Sequence, residues 1–210
     1  MSNKEKIDMY SFEKELWDKG YEYIAGCDEV GRGPMAGPLV VAAVILPKEE
    51  IVGLNDSKKL SKKKREELSI IIKEKAIDYS ITYIDVLDVD RLNVYQSSKN
   101  AMIESVRKLK KCDYVLSDAM PIDFEYPVKD IIKGDSKSAS IAAASIIAKV
   151  ERDNYMDELA LRYPQYGFEK HKGYVTKFHL EAISKYGIID EHRKSFLPVQ
   201  KIIARDSKEK

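Results

Sequence analysis

Cysteine and histidine are both scarce in this chain, with two of the first and three of the second among 210 residues. Cys27 and Cys112 form no C-x-x-C pair and lie beside strand-like segments, so buried free thiols in a reducing compartment are expected. His171, His179 and His192 offer no pair four residues apart, so no helical histidine pair is available to a metal. His171 reads as a candidate loop contact and the other two as structural or solvated. No apolar run reaches about 18 residues. No charged-then-apolar leader is seen either, so neither a membrane span nor a signal peptide is expected, and the cytoplasm is the expected location. Net charge is nearly absent as well: 36 basic and 35 acidic residues leave +1, which says nothing about an anionic partner. Repeats, low-complexity tracts and Pro/Ser-rich linkers are missing. Without a heptad run or an exposed apolar stripe, the chain is expected to be a monomer.

What is present suits a globular fold. With 44% hydrophobic and 34% charged residues, the chain can bury one sizeable core. The expected organisation is a single domain over 1–210. Its α/β core runs from about 21 to 163, a helical C-terminal part from about 164 to 205, and a polar tail over 206–210. A short helix is expected over Phe12–Lys19, stopped by Gly20. Tyr21–Cys27 and Gly37–Leu46 read as strands joined closely enough to pair antiparallel. Ser61 can cap a helix carrying Leu68, Ile71 and Ile72 on one face. Tyr79–Ile84, Tyr114–Ser117 and Val128–Ile132 read as further strands. Between them one longer helix from Asp88 or Asp90 keeps Leu92, Tyr95, Met102, Val106 and Leu109 in helical period. Ser138–Tyr163 is a long helix, its Ala/Ser-rich half able to lie close to a sheet. Val175–Tyr186 is a helix stopped by Gly187.

The stretch IAGCDEVGRGPMAGPLVVAAV, from Ile24 to Val44, holds the chemistry. An apolar run delivers Asp28 and Glu29 to a turn containing Gly31, Arg32 and Gly33. Neighbours on a strand point to opposite faces, so the two acids share one site only if the strand ends between them. An ordinary surface turn would use the same residue types. Gly31, Gly33 and Ala36 also fit the spacing of a dinucleotide loop, but Pro34, Pro38 and a β-branched run follow where a helix is needed. Asp118 and Asp135 likewise stand at strand ends. Four carboxylates brought together would form an oxygen-only cluster suited to Mg²⁺ or Mn²⁺, and two such ions run phosphodiester hydrolysis in many nucleases. Spacing alone does not make them converge, and a lone Asp at a strand end is usually a turn residue or cap. The run Lys58–Arg65, KKLSKKKR, is read as a solvated helix start unless a nuclease site lies beside it. Tyr174 is by default a half-buried aromatic that beside nucleic acid would stack.

CDEVGRGPMAGP, NDSKKLS, LSDAMP, KGDSKSASIAAASIIAKVERD and HKGYVTKFH, in this order from about Tyr21 to Phe196, closely resemble ribonuclease HII. The resemblance implies a ribonuclease H-like mixed β-sheet flanked by helices, with a small C-terminal helical extension. It implies that Asp28, Glu29, Asp118 and Asp135 are catalytic and bind divalent metal, Mn²⁺ or Mg²⁺. It further implies that Gly31, Arg32 and Gly33 read the ribonucleotide 2′-hydroxyl, that Ser57 and Lys58 hold substrate phosphate, and that Tyr174 stacks near the RNA-to-DNA junction. The expected activity is endonucleolytic, on RNA/DNA hybrids and 5′ to single ribonucleotides in duplex DNA. A catalytically silent nucleic-acid-binding module on the same fold is the alternative. Cys27 departs slightly from the pattern, standing where a β-branched residue is expected; it is apolar and similar in size.

Overall fold

The computed structural model describes residues 8–55 and 57–208. Its strands are β1 (Ile24–Val30), β2 (Leu39–Ile45), β3 (Asp78–Ile84), β4 (Tyr114–Asp118) and β5 (Val128–Ile131). They form one five-stranded sheet in the order β3-β2-β1-β4-β5. The pairs β1–β2 and β2–β3 are antiparallel, whereas β1–β4 and β4–β5 are parallel, so the sheet is mixed as expected. The helices are α1 (Ser11–Asp18), α2 (Lys62–Lys75), α3 (Val86–Leu92), α4 (Val94–Arg107), α5 (Ala139–Arg162), α6 (Phe168–His171), α7 (Lys177–Tyr186) and α8 (Leu197–Asp206).

The unbroken apolar run of β2 is explained by cover on both faces. Val40, Ala42 and Val44 pack toward α2 and α5, while Val41, Ala43 and Ile45 pack toward α4, the alternation a strand imposes. Helix α5 lies close to β1 at Gly26, where an added Cβ would come within 2.1 Å of the Ser140 backbone. Only glycine permits that approach, and the small residues of the first turns of α5 complete it.

Three sequence expectations are corrected. The first strand runs on through Val30 instead of stopping at Cys27. The single long helix expected from Asp88 or Asp90 is two, because Asn93 adopts φ 67, ends α3 and caps α4 by accepting from the Gln96 N–H. Asp85 caps α3, and Tyr95 points outward, so the helical period assumed across the break fails at that residue. Asp206, placed in the polar tail beyond the helical part, closes α8; residues 209 and 210 lie outside the described residues.

Glu13 is fully buried despite its charge. Its Oε1 accepts from Ser138 Oγ at 2.5 Å and from the Ser140 N–H at 2.9 Å, so α1 caps the start of α5. Glu13→Ala leaves both buried donors without that acceptor. We expect a loss of about 1–3 kcal/mol, read as a lower urea midpoint at unchanged m-value.

Candidate active site

The parallel ladder between β1 and β4 stops at Cys27↔Ser117, whereas β1 stays paired with β2 through Val30↔Val40. β1 therefore does not end between Asp28 and Glu29, contrary to the condition set for them to share a site. It loses one neighbour there instead, and around that free edge both acids reach one cleft of about 370 Å³. Asp118, at the end of β4, lines the same cleft, and its Oδ1 accepts the Gly134 N–H at 2.7 Å. Asp135, the next residue, is buried and does not itself line the cleft; its Oδ2 lies 3.4 Å from Nζ of Lys58, which does.

Each carboxylate is held by its own partner. Asp28 accepts the Glu29 N–H at 2.7 Å, and Glu29 Oε1 accepts from Arg32 at 3.1 Å. Among the described residues, no three His, Cys, Asp or Glu side chains are drawn into a ready-made cation cage. Crowding nevertheless marks the group. Burial, then the charges of Glu29 and Asp118, raise Asp28 well above the usual carboxylate range. Burial pushes Glu29 up to about 7 against the pull of Arg32, with Asp118 adding to the rise. Among the described residues Glu29 Oε2 is buried with no hydrogen-bond partner. An oxygen-only set with a buried, unsatisfied carboxylate oxygen and mutual repulsion fits a hard divalent cation.

The glycine turn forms one wall of the cleft and Tyr174 borders it. Gly31 has φ +103, and a Cβ there would meet Arg152 Nε at 2.4 Å; at Gly33 a Cβ would meet, among the described residues, only the Tyr174 ring, at 3.4 Å. Ser57 is buried with its Oγ 2.9 Å from Ser145 Oγ, and Lys58 projects into the mouth. The basic run divides as its residue types allow. Lys62 pairs with Asp157 and Lys64 with Glu67, while Arg65 donates to the Ser57 and Leu60 carbonyls and so holds the Ser57 loop. A larger groove of about 630 Å³ lies elsewhere, but Asp85, Asp88, Asp90, Asp190 and Glu191 line it, a poor wall for a phosphate backbone.

Residues 25–199 match the family described as Ribonuclease HII. The chain belongs to the ribonuclease HII family. Ribonuclease HII of Geobacillus sp. (strain WCH70) is 54% identical over 198 residues, covering 93% of this chain and 72% of that protein. That of Halalkalibacterium halodurans is 52% identical, covering 95% and 77%. The crystal structure of ribonuclease H2 from Pyrococcus horikoshii OT3 superposes with a TM-score of 0.78 at 26% identity, over 89% of this chain and 100% of that one. The chain is accordingly an endonuclease with ribonuclease H activity, and ribonuclease HII acts on RNA/DNA hybrids. Among the described residues no helix is long and apolar enough to cross a membrane.

Within this ribonuclease HII fold, motif reading missed the supports of the site. Ser145, Lys149 and Arg152 form a polar stripe at helical spacing on α5; the first two line the cleft, and Lys149 pairs with Asp153 at 2.5 Å. Arg152 is fully buried, pairs with no carboxylate among the described residues, and donates to the Pro38, Ala36 and Lys172 carbonyls. Arg193, equally buried, donates to the Gly37 and Arg32 carbonyls. Burial lowers these guanidinium groups to about 10 and about 9, so both stay charged at neutral pH and pin the glycine turn. The available signal was the helical spacing of Ser145, Lys149 and Arg152 along α5.

His179 and His192, read as either structural or solvated, are fully buried and therefore structural. Burial lowers them from 6.5 to about 3 and about 4. Above the unfolded value neither state binds a proton and stability is unaffected. Below it the unfolded chain takes up protons that the folded chain refuses, so stability falls as the pH drops from about 6.5 toward 4. The urea midpoint should decline over that window, by at most about 1.4 kcal/mol per histidine per pH unit. The decline should be shallower in His192→Phe.

Proposed function

We propose that the chain cuts RNA/DNA hybrids and also duplex DNA on the 5′ side of single embedded ribonucleotides, leaving 3′-hydroxyl and 5′-phosphate ends. Asp28, Glu29, Asp118 and Asp135 would hold the divalent cations, Mg²⁺ or Mn²⁺, on which enzymes of this family depend. The observation that carries this reading is the buried, unpartnered Oε2 of Glu29, in a cleft shared with Asp28, Asp118 and the glycine turn. When bound, such cations activate water and stabilise the leaving oxygen of a phosphodiester.

The chain's own residues bring the substrate to that point. Gly31 and Gly33 let backbone groups approach the sugar, and Arg32 can leave Glu29 to meet the adjacent phosphate. Lys58, whose side chain is 81% exposed, reaches the phosphate backbone, with Ser57 beside it. Tyr174, half exposed against Gly33, supplies a stacking face. The C-terminal helices belong to the same domain in this reading, since Met35, Ala36, Met156 and Val199 share one apolar cluster.

The test is incubation with a duplex carrying one ribonucleotide, with Mg²⁺, with Mn²⁺ and with chelator. Cutting 5′ to the ribonucleotide that stops on chelation is expected. No cutting with either ion would overturn the reading.

A further inference from the structure

Residues 171–174 form a left-handed turn, with Lys172 at φ 49 and Gly173 at φ 82. A non-glycine residue in that region is strained and must be held by its surroundings. Three consecutive carbonyls of the turn are gripped from three directions. Lys172 O accepts from Arg152, Gly173 O from the Met35 N–H, and Tyr174 O lies 3.0 Å from His179 Nδ1. The last grip continues inward. His179 Nε2 is 3.1 Å from His192 Nε2, and His192 Nδ1 accepts the Ile189 N–H at 3.0 Å.

This chain of hydrogen bonds has one solution, because its ends are a backbone donor and a backbone acceptor. The Ile189 N–H can only donate, so His192 carries its proton on Nε2 and donates to His179 Nε2. His179 then carries its proton on Nδ1 and donates to the Tyr174 carbonyl. Every nitrogen of the two rings is used, and a proton added to either ring would set N–H against N–H. His171 stacks on His179 at 4.4 Å, its Nδ1 accepting the Gly173 N–H and its Nε2 meeting the Tyr166 carbonyl.

We propose that His179 and His192 are positioning residues for substrate recognition, a two-imidazole relay that fixes the Tyr174 carbonyl and thereby holds the Tyr174 ring against Gly33. The inference rests on the reading that Tyr174 contacts the substrate. The His192 backbone is bridged to Ala36, so the relay also ties the turn to the loop that follows the glycines.

The test compares the parent, Tyr174→Ala, His192→Phe, His192→Gln and the double variant Tyr174→Ala/His192→Phe on a single-ribonucleotide duplex. His192→Phe should raise KM by about five- to a hundredfold, the range for losing one stacking contact, with a smaller change in kcat. His192→Gln keeps an N–H able to donate to His179 and should recover much of the loss. The double variant should be no worse than Tyr174→Ala, since the histidine acts through the tyrosine. If Tyr174→Ala raises KM while His192→Phe does not, or if the losses multiply, the relay is overturned and Tyr174 keeps its role. If Tyr174→Ala has the parental KM, the substrate reading of Tyr174 fails and the relay with it. Should His192→Phe fail to fold, long-range ¹H–¹⁵N spectra of the parent decide. They should show His192 protonated on Nε2 and His179 on Nδ1, and any other tautomer pair overturns the proposal.

Discussion

Asp28→Asn is expected to leave less than about one hundredth of parental cleavage, because even groups behind a metal ligand commonly cost 10- to 100-fold when lost. The chain should meanwhile stay folded. Asp28 is buried, and its carboxylate is disfavoured by burial and by the charges of Glu29 and Asp118. The neutral amide relieves that repulsion and can still accept the Glu29 N–H. In chelator, the urea midpoint of Asp28→Asn should therefore equal or slightly exceed that of the parent. Added Mg²⁺ should stabilise the parent more than the variant, by the linkage that favours any state binding a ligand. A variant that unfolds far more easily, yet keeps activity per folded molecule, would make Asp28 a structural residue.

Gly33→Val should lower cleavage of a single-ribonucleotide duplex at least about a hundredfold, or ~2.8 kcal/mol at about 1.4 kcal/mol per tenfold. Divalent-cation binding should change far less. The geometry makes this a clean substitution. Gly33 lies outside the left-handed region, and its added Cβ meets the Tyr174 ring at 3.4 Å, an ordinary van der Waals contact. The two methyl groups beyond it enter the space a sugar would take. Gly31 offers no such test, since a side chain there would strain the backbone and strike Arg152. A site built around one hydroxyl rejects a partner that lacks it, so the parent should leave all-DNA duplex uncut. Unchanged cleavage by Gly33→Val, or comparable cutting of all-DNA by the parent, would remove the turn from ribonucleotide recognition.

The sheet was readable because its signals are local. The run LVVAAVI, Ser61 before its helix and Ser138 before α5 each act on adjacent backbone, and the structure keeps all three. The break at Asn93 was not readable, because a left-handed asparagine inside a continuous apolar period leaves no trace in periodicity. The end of β1 was misjudged because the site is opened by a neighbouring strand that stops, not by a break in the strand itself. Glu13, Arg152 and Arg193 share one reason for being missed. Residue type says that charge goes outward, and only tertiary structure supplies the Ser138 hydroxyl and the backbone groups they satisfy.

The two halves of the sheet differ in how far along the chain their partners lie. β2 meets β1 across a short turn, while residues 24–27 must find 114–117 to make the parallel half. Closing the longer loop costs more entropy before any contact rewards it, so the antiparallel hairpin should form early and β4 dock late. Asp118 travels with β4. The chain would thus pass through most of its collapse with Asp28 and Glu29 still apart from Asp118, and would meet the repulsion among them only when enough structure exists to bear it. Pulse-labelled hydrogen exchange during refolding should protect the β2 amides before those of β4, and a nascent chain not yet extended past β4 should have no nuclease activity.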